Sequence, residues 1–248
     1  HAAVNRSHTA TNTPRRARRE AGLSLIEMMV TLVIGAFLMI GVVSIFSQSR
    51  TTYRVNDTVE RLQENVRFAL NTLLPDIRMA GSYGLHSEAT LVTWPNGTSA
   101  RCEDGTVVTN WALDPAGGID PANGINTGGI EASNGANILP CPVFANAYQA
   151  GSDVLVVRHA SGATTAPLNT VIQLQSTRVG STLFDNGAAP FGCPAVTPAC
   201  TYDWQTQAYY VSSQSSLGAN VPSLRRQVLV AGGVLQDQEL IAGVEDLQ

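Results

Sequence analysis

A chain of 248 residues with a net charge of −4 has room for a membrane segment and one globular domain. The acidic balance argues against nucleic acid, which selects a basic patch or stripe. All fifteen basic residues are arginine, which reads as genome composition rather than chemistry.

Residues 1–14 are polar, close on Pro14 and read as disordered. The chain starts at His1 and its first methionine is Met28, so the start reads as internal to a longer protein. Arg15, Arg16, Arg18 and Arg19 then form a basic cluster ahead of Gly22. From Met28 to Phe46 run 19 uncharged residues, and Glu27 stands alone at their head. About 20 apolar residues cross a bilayer as a helix. The arginines ahead of the run place the N-terminus in the cytoplasm and the rest outside. A cleaved secretory signal is the main alternative, with Ser47-Gln48-Ser49 as its cleavage site. Its apolar region is about 7–15 residues, shorter than this one, and it leaves Glu27 unexplained. A carboxylate in low dielectric is costly unless paired, and an intramembrane charge is a functional hypothesis by default.

The segment Gly22-Leu23-Ser24-Leu25-Ile26-Glu27-Met28-Met29-Val30 resembles the processing site of type IV prepilins and type II secretion pseudopilins. The family usually has phenylalanine or methionine where Leu23 stands, and threonine where Ser24 stands. The resemblance implies cleavage after Gly22 by a prepilin peptidase that also methylates the new N-terminus at Leu23. It implies that Glu27, fifth in the mature chain, pairs with the Leu23 amine of a neighbouring subunit and draws the subunit into a filament. Loss of residues 1–22 leaves ten arginines against eighteen acids, a net charge of −8.

Beyond Phe46, Val55, Val59, Leu62, Val66, Ala69, Leu73 and Ile77 recur at steps of four and three, the stripe of an amphipathic helix. Asp57–Arg61 and Glu64–Arg67 are spaced for helix-surface pairs. Pro75 is expected to kink or interrupt the last turns, and Gly81 to end the helix. Gly35 and Gly41 read as soft points, as packing positions or as ordinary residents of an apolar helix.

From Ser82 the chain turns to Gly, Asn, Thr, Ser and Pro around short β-like runs. The expected strands are 90–94, 106–109, 153–159, 171–176, 202–212, 224–230 and 239–247. The run at 153–158 reads as a central strand, and 112–135 and 180–199 read as long loops. The stop at Gln248, inside a strand-like segment, suggests truncation. The fold class expected is α+β: a long N-terminal helix packed on a β-rich, mainly antiparallel domain. The divisions are leader 1–22, membrane and assembly helix 23–46, amphipathic helix 47–81 and globular domain 82–248.

Cys102, Cys141, Cys193 and Cys200 all lie on the outer side, where an even count favours two disulfides. Three pairings are possible; Cys193–Cys200 with Cys102–Cys141 is preferred, because the former closes a short loop. Neither pair has zinc spacing, and His86 and His159 are isolated, so no metal or cofactor is expected. No G-x-S-x-G, H-E-x-x-H or P-loop pattern occurs, so neither catalytic residues nor an enzyme are expected. The acidic segment 114–120 lacks the spacing of a calcium loop. Trp94, Trp111, Trp204, Tyr209 and Tyr210 read as core or strand-pair aromatics.

Leu73-Leu74-Pro75-Asp76-Ile77-Arg78-Met79-Ala80-Gly81, Ala208–Ser212, Pro222–Arg226 and Glu239–Gln248 resemble PilW-type minor pilins. That resemblance implies a minor pilin that joins other minor pilins to prime type IV pilus assembly and sits at the tip. The implied partners are those pilins, the major pilin, the prepilin peptidase and N-methyltransferase, the inner-membrane assembly platform and the membrane itself. Adhesion and twitching motility come with the family. The rival readings are a J-type pseudopilin of type II secretion and a tip adhesin or ligand-binding module.

Overall fold

The computed structural model describes residues 22, 24–95, 97–116, 124–126, 128–192 and 200–248, with the backbone alone at 124–126. The expected disorder at 1–14, the basic cluster, Leu23, Cys193 and most of the acidic segment at 114–120 lie outside the described residues. The chain forms two compact units, His1–Arg61 and Leu62–Gln248.

Helix α1 runs from Leu25 to Met79 and passes through Pro75 without interruption, against the expected break. It stops where Gly81 takes φ +74°, a conformation open to glycine at no steric cost. Ser82 N–H donates to the Met79 carbonyl at 2.9 Å. Arg61 and Asp57 pair at 3.2 Å on the exposed surface; Glu64 and Arg67 form no ion pair among the described residues.

The second unit is built on one ten-stranded sheet, mainly antiparallel. Its strands are β1 Val92–Thr93, β2 Arg101–Cys102, β3 Gly124–Asn126, β4 Ile130–Ser133, β5 Val154–Thr164, β6 Gln173–Thr177, β7 Gly180–Phe184, β8 Thr201–Ser212, β9 Ser223–Val230 and β10 Val234–Ala242. A short helix, α2, spans Thr109–Leu113. The long helix with a β-rich domain is the α+β class expected.

The 153–158 run, in β5, is a central strand as expected, flanked by β4 and β8, and β8 is the hub. One edge of β8 pairs with β5. Its other edge pairs first with β6 at residues 201–203, then with β9 at 207–212. The far edge of β5 is shared between β4 and the chain leaving α1: Gly81 N–H donates to Arg158 O at 3.4 Å, and Ala160 N–H to Ser82 O at 2.7 Å. Gly129, whose carbonyl accepts from Arg158 N–H at 2.7 Å, is squeezed against Gly81. A Cβ on Gly129 would stand 2.4 Å from Gly81 N, so only glycine fits.

Several strand expectations shift. The 106–109 run gives an isolated bridge at Val107 followed by α2. Strand β10 ends at Ala242, five residues short, because Gly243 turns at φ +87° and bonds Pro222 O at 2.6 Å. The supposed loops at 112–135 and 180–199 contain β3, β4 and β7, and β4 buries its polar side chains, Glu131 and Ser133, rather than its apolar ones.

Alternation along β8 sets two faces. Gln207, Tyr209 and Val211 face α1, whose Ala69 and Leu73 pack on Val211, Leu224 and Ile241. Leu62 and Val66, also in the expected stripe, stay exposed. Trp204, Thr206, Ala208 and Tyr210 face the opposite way and carry the larger core. That core is roofed by α2 and the stretches 103–116 and 137–148, tied down by the Cys102–Cys141 bridge with Cα atoms 5.4 Å apart. Cys200 is buried and no described cysteine is free. Trp204, Tyr209 and Tyr210 are buried, and Trp94 and Trp111 pack against the core.

The roof is held by polar contacts that terminate α2. A helix end leaves carbonyls without partners, and here buried donors supply them. Ala112 O accepts from Trp204 Nε1 at 3.1 Å and Thr206 Oγ1 at 2.6 Å, and Trp111 O from Arg158 Nε at 2.8 Å. Arg158 also pairs with Glu131 at 2.6 Å, both essentially inaccessible.

Candidate functional site

The N-terminal segment is built simply. Gly22 lies outside regular secondary structure, is exposed, and has nothing among the described residues within 4 Å of where a Cβ would sit. Ser24 O accepts the first helical bond, from Met28 N–H at 3.1 Å. Glu27 is exposed and falls in the first turn of α1. Backbone N–H groups at a helix N-terminus carry partial positive charge, which favours an acid in that turn. The sequence shows only the cost of Glu27; its place in the first turn offsets part of that cost.

The following turns are apolar on every side. The helix contains an 18-residue window of mean hydropathy 2.6, none of it buried. A core helix of equal hydropathy would be covered. Length and composition alone suffice for this helix to cross a membrane. Gly35 and Gly41 have nothing within 4 Å of where a Cβ would sit, so neither serves a close approach among the described residues.

At the other end of α1, Asp76 has a role that sequence reasoning missed. Its carboxylate accepts from Tyr209 OH and stands 3.6 Å from His159 Nε2. Tyr209 OH also reaches Gln207 Oε1 at 3.1 Å, which Arg226 Nη1 meets at 2.9 Å. Burial, then the bond to Asp76, pushes the Tyr209 phenol well above its ordinary value. The signal was present: Asp76 lies on the sheet-facing side of the helix, three residues after Leu73. The adjacent arginines of the 222–226 segment divide between the two faces. Arg226 serves this network, while Arg225 binds Asp237 and Glu239, each at 2.6 Å, on the opposite face.

The remaining candidate residues stay apart. His86 and His159 meet no cysteine, and no cluster of three or more metal-ligating side chains occurs among the described residues. Asp114 caps its own turn through Ala116 N–H at 2.8 Å.

Together, an apolar helix with an acid in its first turn and a β domain fit a membrane-anchored single-pass protein. Residues 17–43 match the family model described as the prokaryotic N-terminal methylation motif. The match supports a place in the type IV pilin and pseudopilin superfamily and suggests a structural subunit. It implies processing by a prepilin peptidase and assembly with pilins. No curated protein and no solved structure matches the chain.

Proposed function

We propose that this protein is a minor pilin that helps initiate type IV pilus assembly and occupies the filament tip. The observation that carries the proposal is the methylation motif over residues 17–43, set on a helix whose first half is apolar all round and bears its single acid in the first turn. The peptidase cuts after Gly22 and methylates Leu23. Arg15, Arg16, Arg18 and Arg19 keep the leader in the cytoplasm, so the β domain enters the periplasm, where disulfides persist. The released amine of one subunit meets Glu27 of the next, replacing a lone charge in low dielectric with a pair. The second pairing in this proposal is Cys193–Cys200. Tip placement rests on the PilW-like segments at 73–81, 208–212, 222–226 and 239–248.

Co-expression with the prepilin peptidase tests the first step: the intact mass should fall by residues 1–22 and gain one methyl group. Co-purification with other minor pilins, and loss of piliation on deletion, test the second. Uncleaved protein in the presence of active peptidase overturns the proposal.

A further inference from the structure

Strands β5 and β6 meet opposite edges of β8 near its start, with Thr164 beside Tyr202 and Gln173 beside Asp203. Thr165, one residue past β5, is fixed there by its N–H, which donates to Thr201 O at 2.9 Å. That register brings Thr165, Gln173 and Asp203 together across β8. Gln173 is fully buried, and the other two are half-buried.

The hydroxyl of Thr165 donates to Asp203 Oδ1 at 3.0 Å. Gln173 Nε2 lies 2.9 Å from each of three acceptors: Thr165 Oγ1, Ala166 O and Asp203 Oδ1. Gln173 Oε1 accepts Leu168 N–H at 2.7 Å. A carboxamide nitrogen carries two hydrogens, and an ammonium-type nitrogen three. The acceptors around Nε2 therefore offer one place more than the amide fills. They match the nitrogen once it has gained a proton, which is the form in which it leaves a carbonyl carbon. A site that promotes a reaction fits the reacting state better than the resting one.

We propose that Thr165 and Gln173 join in an intramolecular ester, with Asp203 as the base. Thr165 Oγ1 attacks Gln173 Cδ, and its proton passes to Asp203 Oδ1. The negative charge that develops on Gln173 Oε1 is met by Leu168 N–H. Asp203 Oδ1, which touches hydroxyl and amide nitrogen alike, then gives the proton to Nε2. The Cδ–Nε2 bond breaks, the carbonyl re-forms and ammonia leaves. One C–O bond replaces one C–N bond, and no oxidant, cofactor or second molecule is needed.

In the resting arrangement the amide turns its nitrogen to Thr165. A C–N bond of about 1.33 Å puts Cδ no farther than about 4.2 Å from Oγ1. Rotation about the last glutamine torsion, which has a broad profile, brings the carbon to the roughly 3–3.5 Å that attack requires. Full burial of Gln173 keeps water from the acyl carbon, which protects the ester from hydrolysis. The link ties the end of β5 to the start of β6 across β8. It is a single self-modification of the β domain and goes beyond the assembly role.

The test is mass spectrometry of the full chain, expressed without a prepilin peptidase and purified in detergent micelles. With disulfides accounted for, the intact mass is expected to fall short of the sequence by one ammonia. After denaturation and cleavage by chymotrypsin at Leu168, the fragments carrying Thr165 and Gln173 should stay joined. Neutral hydroxylamine, which cleaves esters, should part them. Thr165→Val should restore the sequence mass, and Asp203→Asn should slow formation of the link about 100-fold or more. Both variants should keep the tryptophan fluorescence of the folded wild type; where one does not fold, the joined wild-type fragments decide alone. A folded wild-type chain at the full sequence mass, fresh or aged, overturns the proposal. So does an ammonia loss that maps to an asparagine, or one that persists in Thr165→Val.

Discussion

From Leu25 to Phe46 every large apolar side chain is exposed, between 52% at Val30 and 79% at Leu25. In the β domain the pattern inverts: Arg158, Glu131, His159 and Arg225 are buried with the aromatics. Water penalises the first arrangement and a lone buried charge the second. The two regions therefore answer to different solvents. An apolar surface of this kind is stable where hydrocarbon replaces water, and Glu27, the one acid between Leu25 and Phe46, has no ion pair among the described residues. The domain pairs its buried charges internally, Arg158 with Glu131 and Arg225 with Asp237 and Glu239.

Four experiments break or sharpen that contrast. The largest effect is expected from Glu27→Leu, which should abolish surface filaments while leaving the denaturation midpoint of the β domain unchanged. Filaments at the wild-type level would remove the acid from assembly. Next, Glu131→Ala leaves the Arg158 guanidinium buried without its counter-charge and should cost about 3–5 kcal/mol by guanidinium denaturation, followed through tryptophan fluorescence. A shift within the error of the measurement would show that Arg158 needs no partner there.

Replacing Cys102 and Cys141 by serine opens a loop spanning 39 residues. The cost expected is about 2–4 kcal/mol, read as a lower denaturation midpoint, with no change in the helical signal of residues 25–61. A parallel loss of that signal would contradict the independence of the two regions.

The smallest effect concerns pH. Burial pushes the phenols of Tyr83, Tyr209 and Tyr210 above their ordinary value. The folded state thus keeps protons that the unfolded chain releases near pH 10. This stability is fully present below about pH 10 and is lost as pH rises beyond it. Tyr209→Phe should lower stability by about 1 kcal/mol at neutral pH and make the alkaline decline shallower. An unchanged decline would mean that Tyr209 does not titrate with unfolding.

Legibility in the sequence followed the range of the forces. The helix from Leu25 to Met79, its end at Gly81 and strands β5, β6, β8 and β9 were readable because their signals are local: apolar period, positive-φ glycine, β-branched runs. The interruption expected at Pro75 failed because one missing donor was weighed without the packing of Leu73 and Asp76 on the sheet. The central place of β8 was missed because hub position depends on which strands arrive on either edge, and β6 and β9 come from opposite sides in sequence. Helix α2, at the border of the expected 106–109 strand and 112–135 loop, was missed because its order comes from contacts with Trp204, Thr206 and Arg158, up to 94 residues away.

The sequence by itself determined the membrane-length helix, the motif around Gly22 and Glu27, the mainly antiparallel β class and the acidic character of the domain. Composition and short-range periodicity decide these, and no distant contact is needed to read them. Only the tertiary structure decided that Asp76 fastens the helix end to Tyr209, that Arg225 and Arg226 serve opposite faces, and that Thr165 and Gln173 meet at Asp203 across β8. Each depends on strand register and on which residues burial brings together, and register is a property of the folded sheet rather than of any one strand.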